Sequence, residues 1–297
     1  GDFPREFPPE DERYLPPPAC LPDNPATRRD FALYAASIRS VDRAMGRVLE
    51  ALRRSGQEDN TLVIATTDHG IAFPKMKCRL TDHGTGVFLI LRGPGGFDGG
   101  KVSDALVSQL DLFPTLCERL GLEAPADLEG RSLAHLADDP SAAHHDAIFG
   151  EVNYHAAVEP MRSARTRRWK YIRHYTEDAR VRLPNIDNSI SKYYLCLNGF
   201  AERERPAEEL YDLVDDPQES HNRADDPACA ETLDGLRQRL DDWMRKTDDP
   251  LLRGELPRPD HLVVTPSDDY SAGTGQDRAP DTLPWSDPAR RWVEGEE

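Results

Sequence analysis

Residues 61–67 read TLVIATT and run directly into Asp68-His69-Gly70. A short, continuous, partly β-branched apolar run fits a strand covered on both faces, as in a parallel sheet. Open α/β sheets receive ligands at the carboxyl edge of such strands. A carboxylate and an imidazole there are therefore candidate ligands for a divalent cation, with Gly70 letting the backbone turn beside them. The tripeptide equally fits an Asp capping a loop next to a surface His, and both readings stay open on position alone.

Working outward, Phe31, Ala35, Ile38, Val41, Met45, Val48 and Leu52 recur at three- and four-residue steps, predicting an amphipathic helix over 29–54 that ends at Ser55-Gly56. Residues 86–91 (GVFLIL) give a second buried-strand candidate, closed by Gly93-Pro94-Gly95-Gly96, and a helix is expected over about 103–120. Helix, strand, loop, strand, helix is α/β grammar, but two buried strands are few, so this piece reads as part of a larger sheet.

From Ala147 the pattern changes. AIFGEV, MRSARTRR, WKYIRHY and EELYDLV alternate polar with apolar residues, as antiparallel strands packed on one face do. Asp215-Asp216-Pro217 supplies a turn. Leu233, Leu236, Leu240, Trp243 and Met244 then predict a helix over 229–247 that covers the sheet. The expected fold is α/β: a partial mixed sheet flanked by helices over 31–140, then a small α+β domain of antiparallel sheet plus terminal helix over 141–250. Residues 1–30, with eight prolines, read as an irregular arm, and 251–297 as a tail that wraps the surface or lacks order.

The chain has 297 residues with 37 basic against 54 acidic side chains, a net charge of −17, which excludes a nucleic-acid partner because phosphate binding needs clustered cations. No apolar run approaches the ~20 residues of a membrane span. Five Cys form no C-x-x-C pair, and an odd number argues against a disulfide framework. A start at Gly1 reads as a fragment or processed product, so localisation and oligomeric state stay open. Lys75 and Lys77 make up a third of all the Lys, and a cation near a metal would neutralise a tetrahedral anion.

Five strings, in order, carry a family resemblance over about residues 21–251: LPDNPATRRDFALY with SVDRAMGRVL, NTLVIATTDHGIAFPKMK, VSQLDLFPTLC, PMRSARTRRWKYI and EELYDLVDDPQESHN. The chain resembles the carboxyl-terminal part of a type I sulfatase, in the pattern of the heparan N-sulfatase (sulfamidase) branch. The resemblance implies an alkaline-phosphatase-like α/β core followed by a small antiparallel-sheet domain. It also implies hydrolysis of a sulfate ester or sulfamide on an anionic sulfated small molecule or glycan, at a divalent cation that is usually calcium. Asp68 then matches an acidic metal ligand, His69 an Asn or His ligand, and Lys77 the basic residue that contacts sulfate oxygens.

Two departures qualify that expectation. The family's early C-x-P-S-R or S-x-P-S-R motif, whose Cys or Ser becomes formylglycine, and its preceding pair of Asp ligands do not occur here. The nucleophile is thus expected outside this sequence, and the chain alone is expected to be inactive, as a truncated chain or binding subunit would be. An imidazole suits zinc better than calcium, which keeps a zinc phosphodiesterase or phosphatase of the same superfamily as the alternative. Further substrate-binding candidates are His83, in a second T-D-H-G tetrapeptide expected to be a loop beside the site, and Glu151 and His155, at the end of AIFGEV and just after it. His144-His145-Asp146 looks like a metal cluster but reads as a solvated hinge, and Arg162, Arg165, Arg167 and Arg168 are expected to pair with acids across the small sheet.

Overall fold

A computed structural model describes residues 7–254, 256 and 261–272. Helix α1 (Pro25–Arg54) begins inside the Pro-rich arm. Asn24 caps it by accepting from the Thr27 N–H at 3.1 Å while the Thr27 hydroxyl accepts from the Asn24 N–H, with Pro25 preset for the first turn. Its buried residues are Ala26, Thr27, Ala32 and Ala36, and Asp30 accepts from the Ser191 N–H at 2.9 Å. The expected stripe does not continue as core: Ile38, Val41, Met45 and Val48 are exposed. Beyond Ala36 no described element covers that face, so its periodicity is met by helix formation without burial.

Strand β1 (Val63–Thr66) pairs with β2 (Leu89–Arg92), with the short helix α2 (Asp82–Thr85) between them. The pairing is antiparallel, Val63 opposite Arg92, which corrects the parallel-sheet expectation. Nor is β2 covered on both faces: its residues alternate, and Ile90 is 59% exposed. These two strands form a sheet of their own among the described residues, so β2 has no strand paired along its other edge there.

The helix expected from 103 starts later, as a 3-10 turn over Gln109–Asp111 leading into α3 (Leu112–Leu120). Ser108 is the reason. Its N–H donates to Asp111 Oδ2 at 2.7 Å and its hydroxyl accepts from the Leu110 N–H, so the cap sits five residues inside the expected helix. Gly121, at φ 65, ends α3, and α4 (Ala134–Asp138) follows.

The alternating segments form one antiparallel sheet of β3 (Ile148–Tyr154), β4 (Val158–Arg165), β5 (Trp169–His174) and β6 (Glu208–Asp212), in that spatial order. Between β5 and β6 the chain leaves the sheet to form α5 (Ile190–Leu197), which the sequence reading did not identify. Together Leu21, Phe73, Met76, Leu183, Leu195, Phe200 and Tyr270 make a separate core cluster there. Helix α6 (Ala230–Lys246) lays Leu233, Leu236, Leu240 and Met244 on Ala164, Tyr171 and Leu210 of the sheet, each large apolar side chain contributing about 1.5–3 kcal/mol. Trp243 stacks on Phe149 with ring centroids 5.1 Å apart.

The opposite sheet face packs Met161, Ile172 and Tyr211 against Leu80, which ties the loop after β1 to the small sheet. Part of the expected tail wraps as well: the Thr265 N–H donates to Ala156 O at 2.8 Å, and Lys192 Nζ donates to Tyr270 O at 2.7 Å. Residues 1–6 of the arm and 273–297 of the tail lie outside the described residues. No helix among the described residues is long and apolar enough to cross a membrane. The fold class is α/β, a mixed arrangement of helices and, among the described residues, two sheets.

Candidate active site

Strand β1 delivers Asp68 and His69 to its carboxyl end. His69 Nδ1 lies 2.7 Å from Gly70 O, and since a carbonyl only accepts, Nδ1 carries a proton, which leaves Nε2 as the ring nitrogen that can ligate. That Nε2 sits 3.6 Å from Asp68 Oδ2, and the Asp68 side chain is 88% exposed. A carboxylate and an imidazole nitrogen, both accessible, with the far ring nitrogen tied to a backbone carbonyl, is the donor arrangement of a metal-ligating pair.

The two T-D-H-G copies meet backbone to backbone. The Gly70 N–H donates to Gly84 O at 2.8 Å, and a Cβ on Gly70 would lie 2.0 Å from His83 O. In the second copy, a Cβ on Gly84 would lie 2.2 Å from Arg79 O. Both copies therefore require Gly for close approach, which is the physical content of the repeat. Between them Lys75 (φ 68) and Cys78 (φ 64) adopt left-handed backbone, a conformation that costs non-glycine residues energy and is held here by the packed loop. Lys77 lies between these two, and its Nζ donates to Asp187 Oδ2 at 3.0 Å.

The second copy is fastened by charge. The Asp82 carboxylate lies 2.8 Å from Lys170 Nζ and 2.9 Å from Arg165 Nη2. Burial pushes its pKa up, but these two cations outweigh burial and hold it at about 2. The Asp82 N–H donates to Glu219 Oε2 at 2.6 Å. Burial of Glu219, with only partial relief from Lys170, pushes that carboxyl up to about 7, and its Oε1 is buried without a hydrogen-bond partner. Glu219 was not singled out from the sequence; its position two residues after Asp216-Pro217 reads as turn chemistry, and its partner is 137 residues away.

Lys77 and His83 line one cavity of about 490 Å³, together with Lys75 and Glu219. His83 Nε2 donates to Gln218 O at 3.1 Å. Asp68 and His69 do not line this cavity, although the Lys77 N–H donates to Ile71 O at 3.1 Å within the same loop. Glu151 and His155 are not brought to it: Glu151 lies 3.5 Å from Arg162 Nη2, and His155 is exposed at the β3–β4 turn. Of the four arginines, Arg162 pairs with Asp249 at 2.5 Å, Arg165 with Asp82, and Arg168 with Asp212 at 2.7 Å, while Arg167 is exposed.

The solvated-hinge reading of His144-His145 is corrected. Both rings pack around Asp111, which is fully buried: His145 Nε2 donates to Asp111 Oδ1 at 2.8 Å, and His144 Nε2 lies 3.2 Å from Oδ2. A buried carboxylate needs such partners. These three residues are the one group of three converging ligand side chains among the described residues. However, Arg131 Nη2 donates to His145 Nδ1 at 2.7 Å, so His145 Nε2 holds its proton and acts as a donor to Asp111.

The sulfatase family model matches residues 2–122, and the model for the carboxyl-terminal region of N-sulphoglucosamine sulphohydrolase matches residues 76–193. Human N-sulphoglucosamine sulphohydrolase is 32% identical over 78% of this chain and 51% of its own length. A solved 2-O GAG sulfatase superposes with a TM-score of 0.60 at 26% identity, covering 89% of this chain and 57% of that one. The phosphonate monoester hydrolase of Agrobacterium radiobacter gives a TM-score of 0.56 at 26% identity, over 74% and 42%. The chain spans about half the length, or less, of the curated relatives it matches.

Proposed function

Because this chain belongs to the sulfatase family, with the alkaline-phosphatase-like fold of its structural neighbours, we propose that it contributes the carboxyl-terminal part of a sulfatase that hydrolyses a sulfate ester or sulfamide on a sulfated amino sugar. The observation that carries this reading is the Asp68–His69 pair at the end of β1, followed by Lys77 in a loop held in left-handed backbone on both sides. Residues 31–140 supply the core and 141–250 the small sheet that braces it.

Asp68 and His69 would hold a divalent cation with one carboxylate oxygen and His69 Nε2. The cation's chemistry is to polarise a sulfuryl oxygen and stabilise the charge that develops on it. In this division of labour Lys77 exchanges its bond to Asp187, a half-exposed carboxylate, for the sulfate oxygens of substrate. His69 Nδ1–H holds the ring orientation through Gly70 O. The attacking group is supplied by residues beyond this sequence, which contains no C-x-P-S-R or S-x-P-S-R motif. Calcium is the cation the family resemblance implies.

The free lone pair of His69 Nε2 favours a second reading, a zinc enzyme acting on phosphate diesters or phosphonates. Calorimetric titration of the chain with Ca²⁺ and Zn²⁺ separates the two, and Asp68→Ala is expected to abolish the binding of whichever ion is held. Undiminished binding would remove Asp68 from the site. In the enzyme carrying its nucleophile, Lys77→Ala is expected to lower kcat/KM on a sulfated glucosamine by about 10²–10³, the usual cost of one donor to a developing anion.

A further inference from the structure

The cavity that Lys77 borders holds more positive charge than that one residue needs. Its walls carry six Lys and Arg against four Glu, in a chain whose net charge is −17. Part of that charge is met within the wall itself: Glu209 pairs with Arg79 at 2.6 Å, and Glu159 accepts from Asn185 Nδ2 at 2.9 Å. Among the described residues Arg203 has no acidic partner. Lys75 donates only to Cys20 O at 3.1 Å, and burial, with the Arg203 charge nearby, pushes its pKa down. Arg182 and Arg205, each nine-tenths buried or more, line the same cavity; Arg182 Nη1 donates to Asp178 Oδ2 at 2.9 Å and Arg205 Nη2 to Thr176 Oγ1 at 2.7 Å, but the Nε–H of each is buried with no hydrogen-bond acceptor. Arg205 Nε comes no closer to a carboxylate than 3.7 Å from Glu159 Oε1.

Buried guanidinium donors without acceptors are costly unless a ligand supplies one. Lys77, Arg79 and Arg182 have carboxylate partners, but Lys75 and Arg203 have none among the described residues, and two such like charges lining one space call for an anion. A volume of about 490 Å³ accommodates a sugar-sized ligand. We infer that this cavity, between the 75–83 loop and the 181–186 and 203–206 segments, is a second anion site, taking a sulfate or carboxylate group of a polyanionic sugar other than the group undergoing hydrolysis. The inference rests on the functional reading above for the identity of the sugar, and on the cavity alone for the anion.

The test is calorimetric titration of the chain with inorganic sulfate against chloride at matched ionic strength, then with mono- and disulfated glucosamine. Wild type should prefer sulfate over chloride and the disulfated sugar over the monosulfated one. Arg203→Ala combined with Lys75→Gln should weaken sulfate about tenfold or more and erase the preference for the second sulfate. Arg203→Lys, which keeps the charge on an exposed side chain, should restore part of it. Unchanged affinities in the double variant would overturn the inference. Lys77→Gln is the separate control: if it leaves monosulfated sugar binding untouched, the reading of Lys77 fails while sulfate binding dependent on Lys75 and Arg203 still stands.

Discussion

The small sheet with α6 and the β1–β2 pair with α1 are built from equally regular patterns and end differently. In the small sheet the apolar face finds a partner in α6, charges are buried in pairs, Arg162 with Asp249 and Lys170 with Asp82, and the buried His174 donates to Glu209. Along α1 and β2, residues of the same kind and spacing, Ile38, Val41, Val48 and Ile90, stay at the surface. Periodicity therefore specifies a face, and only a facing surface converts it into burial energy. The difference predicts where substitutions hurt.

The largest effect is expected at Arg162. Arg162→Met leaves the Asp249 carboxylate buried without its bidentate partner and should cost about 3–5 kcal/mol in urea unfolding, with Arg162→Met/Asp249→Leu recovering much of it. A loss below about 1 kcal/mol would mean the pair is not the anchor of that corner. Next, Leu240→Ala under the sheet should cost about 2–5 kcal/mol, whereas Ile90→Ala should fall within about 0.5 kcal/mol. Equal losses at the two positions would break the contrast between the regions.

The loop joining the regions gives a third measure. Gly70→Ala forces a Cβ to within 2.0 Å of His83 O, an overlap relieved only by moving backbone. It should cost about 1–3 kcal/mol and loosen the Asp68–His69 pair, read as weaker divalent-cation binding at unchanged secondary structure. Full retention of both stability and cation binding would show that the two T-D-H-G turns tolerate separation.

What could be read from the sequence follows the same division. The four small-sheet strands, α6 and the D-H-G at the end of β1 were legible because each is announced by local alternation, helical spacing or a strand-to-turn junction. The α5 excursion was not, because its core is assembled from Leu21, Phe73, Leu195 and Tyr270, distant segments with no shared period. His144 and His145 looked solvated in a polar run, because the carboxylate that buries them, Asp111, lies 34 residues from His145. Glu219 went unread for the same reason. Its hydrogen-bond partner Asp82 and the Lys170 charge near it come from distant segments, and no neighbour in sequence predicts them.

Glu219 also supplies the most selective test, a slope against pH. Its folded pKa of about 7 stands above the ordinary carboxyl value of 4.5, so between those values the native state binds a proton that the unfolded chain has released. Its contribution is thus fully present below 4.5 and lost as pH rises through 7, with a slope of at most about 1.4 kcal/mol per pH unit. Asp82 runs the other way and lower, its contribution present above 3.8 and lost as pH falls towards 2. His174, which burial holds at about 4 against 6.5, opposes Glu219 in the shared window, since stability from a buried neutral imidazole rises with pH between those values. The wild-type curve between 4.5 and 6.5 is therefore a balance, and the informative quantity is the difference from Glu219→Gln. That difference should grow steadily from pH 4.5 to 7 and level off above it, with the variant gaining at high pH while the acid limb below 4 stays as in wild type. Parallel curves across the whole range would show that the carboxyl beside Asp82 ionises as it does in water, and that the joint between loop and small sheet is wetter than its packing implies.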